Sequence, residues 1–335
     1  MLRVKNDNSK LHYFSAYKRI AFVGPMPPPL GGVSVYIYRL SKLVSGSSVL
    51  PFIGGGFKSY IWLFIKLLLI KADMIHVNVL NVKCAMLLLL LSKIRRWDIV
   101  TVDHNDQLFV ARNKLEKIIL KKLLERAKYV IAVGKHIFDR YKENNVDISN
   151  ERFLVQDSFI PPPLNEEKAI ISTYPAEYFG FVDSHEPVVI TSAFKLIKEN
   201  GIDLYGIDMV INMMSALRLE GKQSAGLVIF LAEADSSYLN ELYAQIEKLG
   251  LVESVLFVIG QKELWPAYLR ADLSVRATLR DGFGVSVAES IALSCPAVAS
   301  NVCERAEGAI LFEARDQTML NSKALRVLND QQQCD

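Results

Sequence analysis

The chain has 335 residues, 51% of them hydrophobic and 22% charged, with 18 glycines and 12 prolines. Single cores stop growing near roughly 250 to 300 residues, so this length predicts two domains, and the composition excludes disordered, collagen-like and disulfide-rich classes. A net charge of +3 hides two opposite halves: residues 1–160 carry 25 Lys and Arg against 12 Asp and Glu, a net +13, and residues 161–335 carry 14 against 24, a net −10.

From Arg19 onward, short β-branched runs alternate with longer helical stretches. Strands are predicted at Ile20–Gly24, Val49–Ile53, Met74–Val79, Ile99–Val102, Tyr129–Val133 and Phe153–Val155, with helices between them. A stretch rich in Pro, Glu and Ser follows from Pro161 to Glu186, and it predicts an interdomain linker with one short helix. The alternation then restarts. Strands are predicted at Pro187–Ser192, Leu227–Leu231, Val255–Ile259, Leu273–Val275 and Ala297–Ser300, and helices around Tyr205–Leu219, Tyr238–Leu249, Val285–Leu293 and Gln317–Leu328. This order implies an α/β protein with two doubly wound parallel sheets, in domains 1–160 and 187–335, facing a cleft. Ligands of such folds sit outside the carboxyl ends of the strands.

Three strand-end loops therefore matter most. The first strand runs into a proline-rich loop ending in Gly31-Gly32-Val33-Ser34, where paired glycines and free helix N–H groups suit phosphate or sugar oxygens. A stiff turn that merely packs tightly competes with that reading. His104 ends the run Thr101-Val-Asp-His, placed to hydrogen-bond a ligand, against the alternative of a structural histidine. His76 is a second candidate; His12, His136 and His185 carry no expected role, since no pair has metal-ligand spacing. The third loop, after Val275, carries Asp281-Gly282-Phe283-Gly284 and then a helix with Glu289. Carboxylates accept hydrogen bonds from vicinal hydroxyls, so these two acids suit a sugar and a ribose. The plainer alternative makes Asp281 a loop cap and Glu289 a solvent-facing acid.

This third segment resembles the donor motif of glycosyltransferase family 4, also called group 1, in which Glu-x7-Glu lies in a Glu-Gly-Phe-Gly context before a Pro-Val-Val-Ala-Ser strand. Asp203-Leu-Tyr-Gly-Ile-Asp208 and Ser300-Asn-Val-Cys-Glu-Arg305-Ala-Glu-Gly308 are similar to a branch that assembles bacterial surface polysaccharides such as capsule and lipopolysaccharide. The resemblance implies a GT-B enzyme with two Rossmann-like domains, moving a sugar from a nucleotide sugar, most simply a UDP-sugar, with retention and no required metal or other cofactor. It implies that Glu289 binds the donor ribose and Asp281 the transferred sugar, with Gly282, Phe283, Gly284 and Val285 around the donor and Gly31 and Gly32 opposite. It also implies that His104 lies near the transferred sugar. The family's Arg-x4-Lys-Gly phosphate clamp falls on Lys195 to Gly201, where Lys195 replaces Arg and Asn200 replaces Lys. Lys198 is the residue that would compensate. These departures keep a catalytically silent family member, binding a nucleotide sugar or glycan within an assembly complex, as the competing reading.

The basic half has two amphipathic stretches. Lys58–Lys71 interleaves lysines with Tyr60, Ile61, Trp62, Leu63, Phe64 and Ile65, and Arg112–Lys128 places Leu115, Ile118, Ile119 and Leu123 on one helical face with Lys114, Lys117 and Lys121 opposite. Such helices lie on anionic lipid, which fits a lipid-pyrophosphate-linked glycan as acceptor; no nucleic-acid motif accompanies the charge. No apolar run reaches the roughly 18 residues of a spanning helix. The basic N-terminus (Arg3, Lys5, Lys10, Lys18, Arg19) leads into a strand, not a signal-peptide core. Cys84, Cys295, Cys303 and Cys334 form no Cys-x-x-Cys pair. The expected location is cytoplasmic, peripheral at the inner face of the membrane.

Overall fold

The computed structural model describes residues 13–105, 107–234 and 237–332. The chain divides into two compact units between Ile160 and Pro161. His12, Arg3, Lys5, Lys10 and Cys334 lie outside the described residues.

The first unit alternates strand and helix in the order β1 (Ile20–Gly24), α1 (Gly32–Leu43), β2 (Ser47–Pro51), α2 (Phe57–Leu69), β3 (Met74–Val77), α3 (Val82–Leu91), β4 (Asp98–Asp103), α4 (Lys114–Arg126), β5 (Tyr129–Ala132), α5 (Lys135–Glu143) and β6 (Phe153–Val155). The strands form one parallel sheet of order β2-β1-β3-β4-β5-β6. Strands covered by helices on both faces read as unbroken apolar runs, and β1, Ile-Ala-Phe-Val-Gly, is buried at every position. The strand order reverses between β1 and β3. Gly24 ends β1 there, and a Cβ added to it would stand 2.4 Å from Ile37 Cδ1 and 3.0 Å from Asn78 Cβ, so only glycine allows this close approach.

The second unit opens with two short helices, α6 (Glu167–Ile171) and α7 (Ala176–Ser184), then β7 (Val188–Lys195), β8 (Lys198–Glu199), β9 (Ile202–Asp203), α8 (Ile207–Leu219), β10 (Gly226–Glu233), α9 (Ser237–Lys248), β11 (Val255–Ile259), α10 (Trp265–Tyr268), β12 (Leu273–Arg276), α11 (Val285–Ala292), β13 (Ala297–Ser300), β14 (Ile310–Phe312) and α12 (Gln317–Gln332). Its sheet runs β11-β10-β7-β12-β13-β14, all parallel, with the reversal between β7 and β12. Successive strand side chains point to opposite faces. In β10, Leu227, Ile229 and Leu231 join the cluster under α8, α9 and α12, whereas Val228 and Phe230 join a second cluster with Tyr178, Trp265 and Tyr268.

Two expectations change. The stretch 161–186 is not an extended linker: it carries α6 and α7, and Tyr174 (6% exposed) and Tyr178 (0%) pack into the second cluster. Its aromatic residues give it apolar surface to bury, which a linker lacks. In addition, β14 and the hairpin β8–β9 were not foreseen.

Candidate functional site

In an open α/β sheet the crevice lies where strand order reverses, beyond the strand carboxyl ends. In the second unit that point is the end of β7 and β12, and the side chains converging there are arginines. Arg276, the last residue of β12, donates from Nε to Asp281 Oδ2 at 2.9 Å and from Nη1 to the Ser192 carbonyl at 3.4 Å, with its guanidinium 5.5 Å from the Tyr205 ring centroid. Arg305 donates to the same Asp281 oxygen at 2.8 Å. It also reaches the Ser300 and Phe283 carbonyls at 3.1 and 3.4 Å, and its side chain is 1% exposed.

Asp281 is therefore the shared counter-ion of two cations. Burial pushes its carboxyl upward, and the two guanidiniums more than offset that, holding it below the usual carboxylate range. Gly284 takes φ +83°, and a Cβ there would stand 2.3 Å from Arg305 Nη1. The glycine at this point of the loop thus serves the passage of Arg305 as well as the backbone turn.

Glu289 sits in the second turn of α11, 6% exposed, so it is not the solvent-facing acid of the plainer alternative. Burial chiefly, with the Glu289 charge adding, holds the Tyr268 hydroxyl well above its ordinary pKa. Phe283 is buried, and Gly282 donates to Asp281 Oδ1 at 3.2 Å. Val285 begins the helix, behind Gly284 as its left-handed N-cap.

The segment matched to a phosphate clamp is a tight hairpin. Lys195 is exposed at the end of β7. Asn200 and Gly201 turn the chain with φ of 51° and 80°. Lys198 does not point a free cation at a ligand: its Nζ lies 2.5 Å from Glu241 and 4.1 Å from the Tyr238 ring centroid. Arg280 is likewise paired with Glu199 at 2.8 Å. Beyond the hairpin, Asp203 Oδ2 accepts from the Ile207 and Asp208 amides at 2.8 and 3.3 Å and from the Tyr238 hydroxyl at 3.0 Å. The first turn of α8 is capped by the chain's own carboxylate.

In the first unit the reversal falls between β1 and β3, and a polar cavity of about 190 Å³ is lined by Asn78, Asp103, His104, Asn105, Gln107 and Arg112 among others. His104 and His76 are joined through Asn78. The Asn78 amide nitrogen lies 3.1 Å from His76 Nδ1 and 3.4 Å from the His76 carbonyl, which only accepts, so the NH2 end faces His76. Asn78 Oδ1 then receives His104 Nε2–H at 3.1 Å. That leaves His104 Nδ1 as the unprotonated nitrogen. On the far side His76 Nε2 meets the Tyr13 hydroxyl at 3.2 Å. His76, 0% exposed, is thus a buried support and not a ligand residue. Burial pushes His104 down to about 4; burial, with His104 beside it, pushes His76 down to about 3.

The glycines of the proline-rich loop sit at the start of α1. Gly31 caps α1 in extended backbone, φ −138°, and a Cβ there would meet nothing nearer than Ser34 Oγ at 4.0 Å. Neither conformation nor packing demands glycine at 31, so the approach to the first turn of α1 is open there. Gly32 is exposed as the first residue of α1. His185 bridges the Phe181 and Glu253 carbonyls, a structural role. Sequence reading missed Arg276, Arg305 and Asn78, because they have partners 84, 24 and 26 residues away. The one local signal was Arg276 five residues before Asp281 on a strand end.

With this geometry in place, comparison with known proteins is decisive for the second unit. Residues 193–335 match the family model of glycosyl transferases group 1. These residues form a group 1 glycosyltransferase domain. The group 1 match begins inside β7 and takes in the hairpin, the arginine pair, Asp281 and Glu289. No curated protein sequence matches the chain. Solved structures with the same fold include Anabaena HepE in complex with UDP, 16% identical over 94% of this chain and 91% of that one, TM-score 0.68. They also include a glycosyltransferase from Rickettsia africae, 14% identical over 93% and 88%, TM-score 0.67. WaaG, a glycosyltransferase involved in lipopolysaccharide biosynthesis, is 15% identical over 92% and 90%, TM-score 0.58. The two parallel six-stranded sheets give this chain the GT-B fold of these structures.

Proposed function

We propose that this enzyme is a retaining family 4 glycosyltransferase that moves a sugar from a nucleotide sugar, most simply a UDP-sugar, to a lipid-linked glycan of a bacterial surface polysaccharide. The observation that carries the donor reading is the group 1 domain itself, with buried Glu289 on the helix after the glycine loop, at the point of strand reversal. HepE, solved with UDP and with UDP-glucose, supports the donor class. His104, with Nδ1 left as an acceptor in a polar cavity, suits a sugar hydroxyl in the first unit. The reading calls for no metal, and in it the cations that would meet a leaving diphosphate's charge are the arginines at the strand reversal.

The test is thermal melting of the purified protein against nucleoside diphosphates and nucleotide sugars. One nucleotide family should raise the melting temperature by about 5 °C or more at 100 times its Kd, and Glu289→Ala should abolish the shift. No shift with any nucleotide moves the weight to the silent-member reading, which the neutral Asn200 of the hairpin favours.

The acceptor side rests on the outer face of α2 and α4. In α2, Phe57 (79% exposed), Ile61 (43%), Ile65 (48%) and Leu69 (71%) face outward while Leu63 and Leu67 are buried. The predicted single apolar face of α4 is split: Leu123 is buried, yet Leu115 and Ile118 are exposed, beside a groove of about 350 Å³ lined by Arg112, Lys114, Lys117 and Lys121. Exposed apolar residues beside lysines fit an anionic lipid surface. Among the described residues no helix is long and apolar enough to cross a membrane. Flotation with liposomes containing anionic phosphatidylglycerol should show binding that falls several-fold between 50 and 500 mM salt. Binding absent at low salt, or insensitive to it, removes the membrane from the reading.

A further inference from the structure

We propose that Arg276, backed by Arg305 through the carboxylate they share, is the residue that receives the donor's diphosphate. This assignment rests on the nucleotide-sugar reading above. It is carried by four observations on the group 1 domain.

The first is charge. Within the triad two guanidiniums face one carboxylate, leaving one positive charge in a largely buried setting: the side chains of Arg276, Asp281 and Arg305 are 17%, 14% and 1% exposed. A surplus buried charge is costly until an anion completes it. The second is open donor capacity. Arginine carries five N–H donors; Arg276 uses Nε on Asp281 and Nη1, at 3.4 Å, on Ser192, and among the described residues its Nη2 has no hydrogen-bond partner. Arg305 is instead directed at Asp281, Ser300 and Phe283. It fixes the carboxylate that fixes Arg276.

The third is position. Arg276 ends β12 and reaches Ser192 on β7, so it spans the strand reversal where an α/β sheet binds its ligand. The fourth is that the nearby alternatives are engaged or neutral: Lys198 by Glu241, Arg280 by Glu199, and Asn200 without charge. Lys195, exposed, is the rival cation. An arginine held edge-on by a carboxylate presents its remaining donors in a fixed plane, which matches phosphate oxygens better than a lysine on a flexible stem.

The experiment is calorimetric titration of UDP, GDP, ADP and CDP, each beside its phosphate-free nucleoside, into wild type, Arg276→Gln, Arg276→Lys and Lys195→Gln. For the diphosphate that wild type binds, Arg276→Gln should weaken affinity roughly 10- to 100-fold and leave nucleoside affinity unchanged within about twofold. Arg276→Lys should recover only part of the loss, and Lys195→Gln should lose less. A merely structural arginine predicts equal losses for diphosphate and nucleoside, and that result overturns the assignment. So does undiminished diphosphate binding by Arg276→Gln, or a larger loss in Lys195→Gln. A wild type that binds none of the four diphosphates overturns the donor reading, and this assignment with it.

Discussion

Asp281→Asn is expected to destabilise the group 1 domain by about 3–5 kcal/mol, the range for removing one partner of a buried ion pair. The carboxylate meets Arg276 at 2.9 Å and Arg305 at 2.8 Å. Asparagine keeps the shape and removes the charge, so two guanidiniums are left facing each other with no anion. The Arg305 side chain, 1% exposed, has no route to water. Urea unfolding followed by the fluorescence of Trp265, which is 0% exposed in the second unit, reads the effect directly. A change under about 1 kcal/mol, with sugar transfer lost, would return Asp281 to the role of a sugar ligand and remove it from the ion-pair scaffold.

The second large effect is loss of stability in mild acid, before carboxylates titrate. Burial holds His104 down to about 4 and His76, with His104 beside it, down to about 3. When the chain unfolds both return to about 6.5, so below that value the unfolded state binds protons that the folded state refuses. Their contribution is fully present above pH 6.5 and is lost as the pH falls through the folded values. Between pH 7 and pH 5 the loss should be roughly 2 kcal/mol per histidine. Denaturant midpoints for the first unit at the two pH values measure it. His104→Gln, which keeps a donor toward Asn78, should remove about half of the slope. A midpoint flat from pH 7 to 5 would show that one or both rings stay hydrated and protonatable.

The architecture was legible in the sequence because its signal is local and repeated. Short unbroken apolar runs such as Ile20–Gly24 and Leu227–Leu231 fit strands covered on both faces, and both fall inside observed strands. What was illegible lies in short or distant pairings. β14 spans three residues at the sheet edge, and β8 and β9 two each; no periodicity survives at that length. The stretch after Pro161 shows how composition misleads: its prolines and acids resemble a linker, yet Tyr174 and Tyr178 anchor it under the sheet. At the site, the motif located Asp281 and Glu289 in the right loop and helix, but their surroundings were set by residues outside it. Arg305 reaches Asp281 across 24 residues, and Asn78 reaches His104 across 26. Side-chain roles of that kind depend on which strand ends are neighbours, which sequence spacing does not encode.

The cap on α8 bears on ligand choice. In a dinucleotide-binding domain with this strand order, the helix after the first strand offers its free amides to a cofactor's pyrophosphate. Here the Ile207 and Asp208 amides already hold Asp203, whose carboxylate is buried and further secured by Tyr238. A dinucleotide arriving at that turn would find those two donors already engaged. The first turn of α8 is thus filled by the chain's own side chain, and its Ile207 and Asp208 amides are engaged before any ligand arrives.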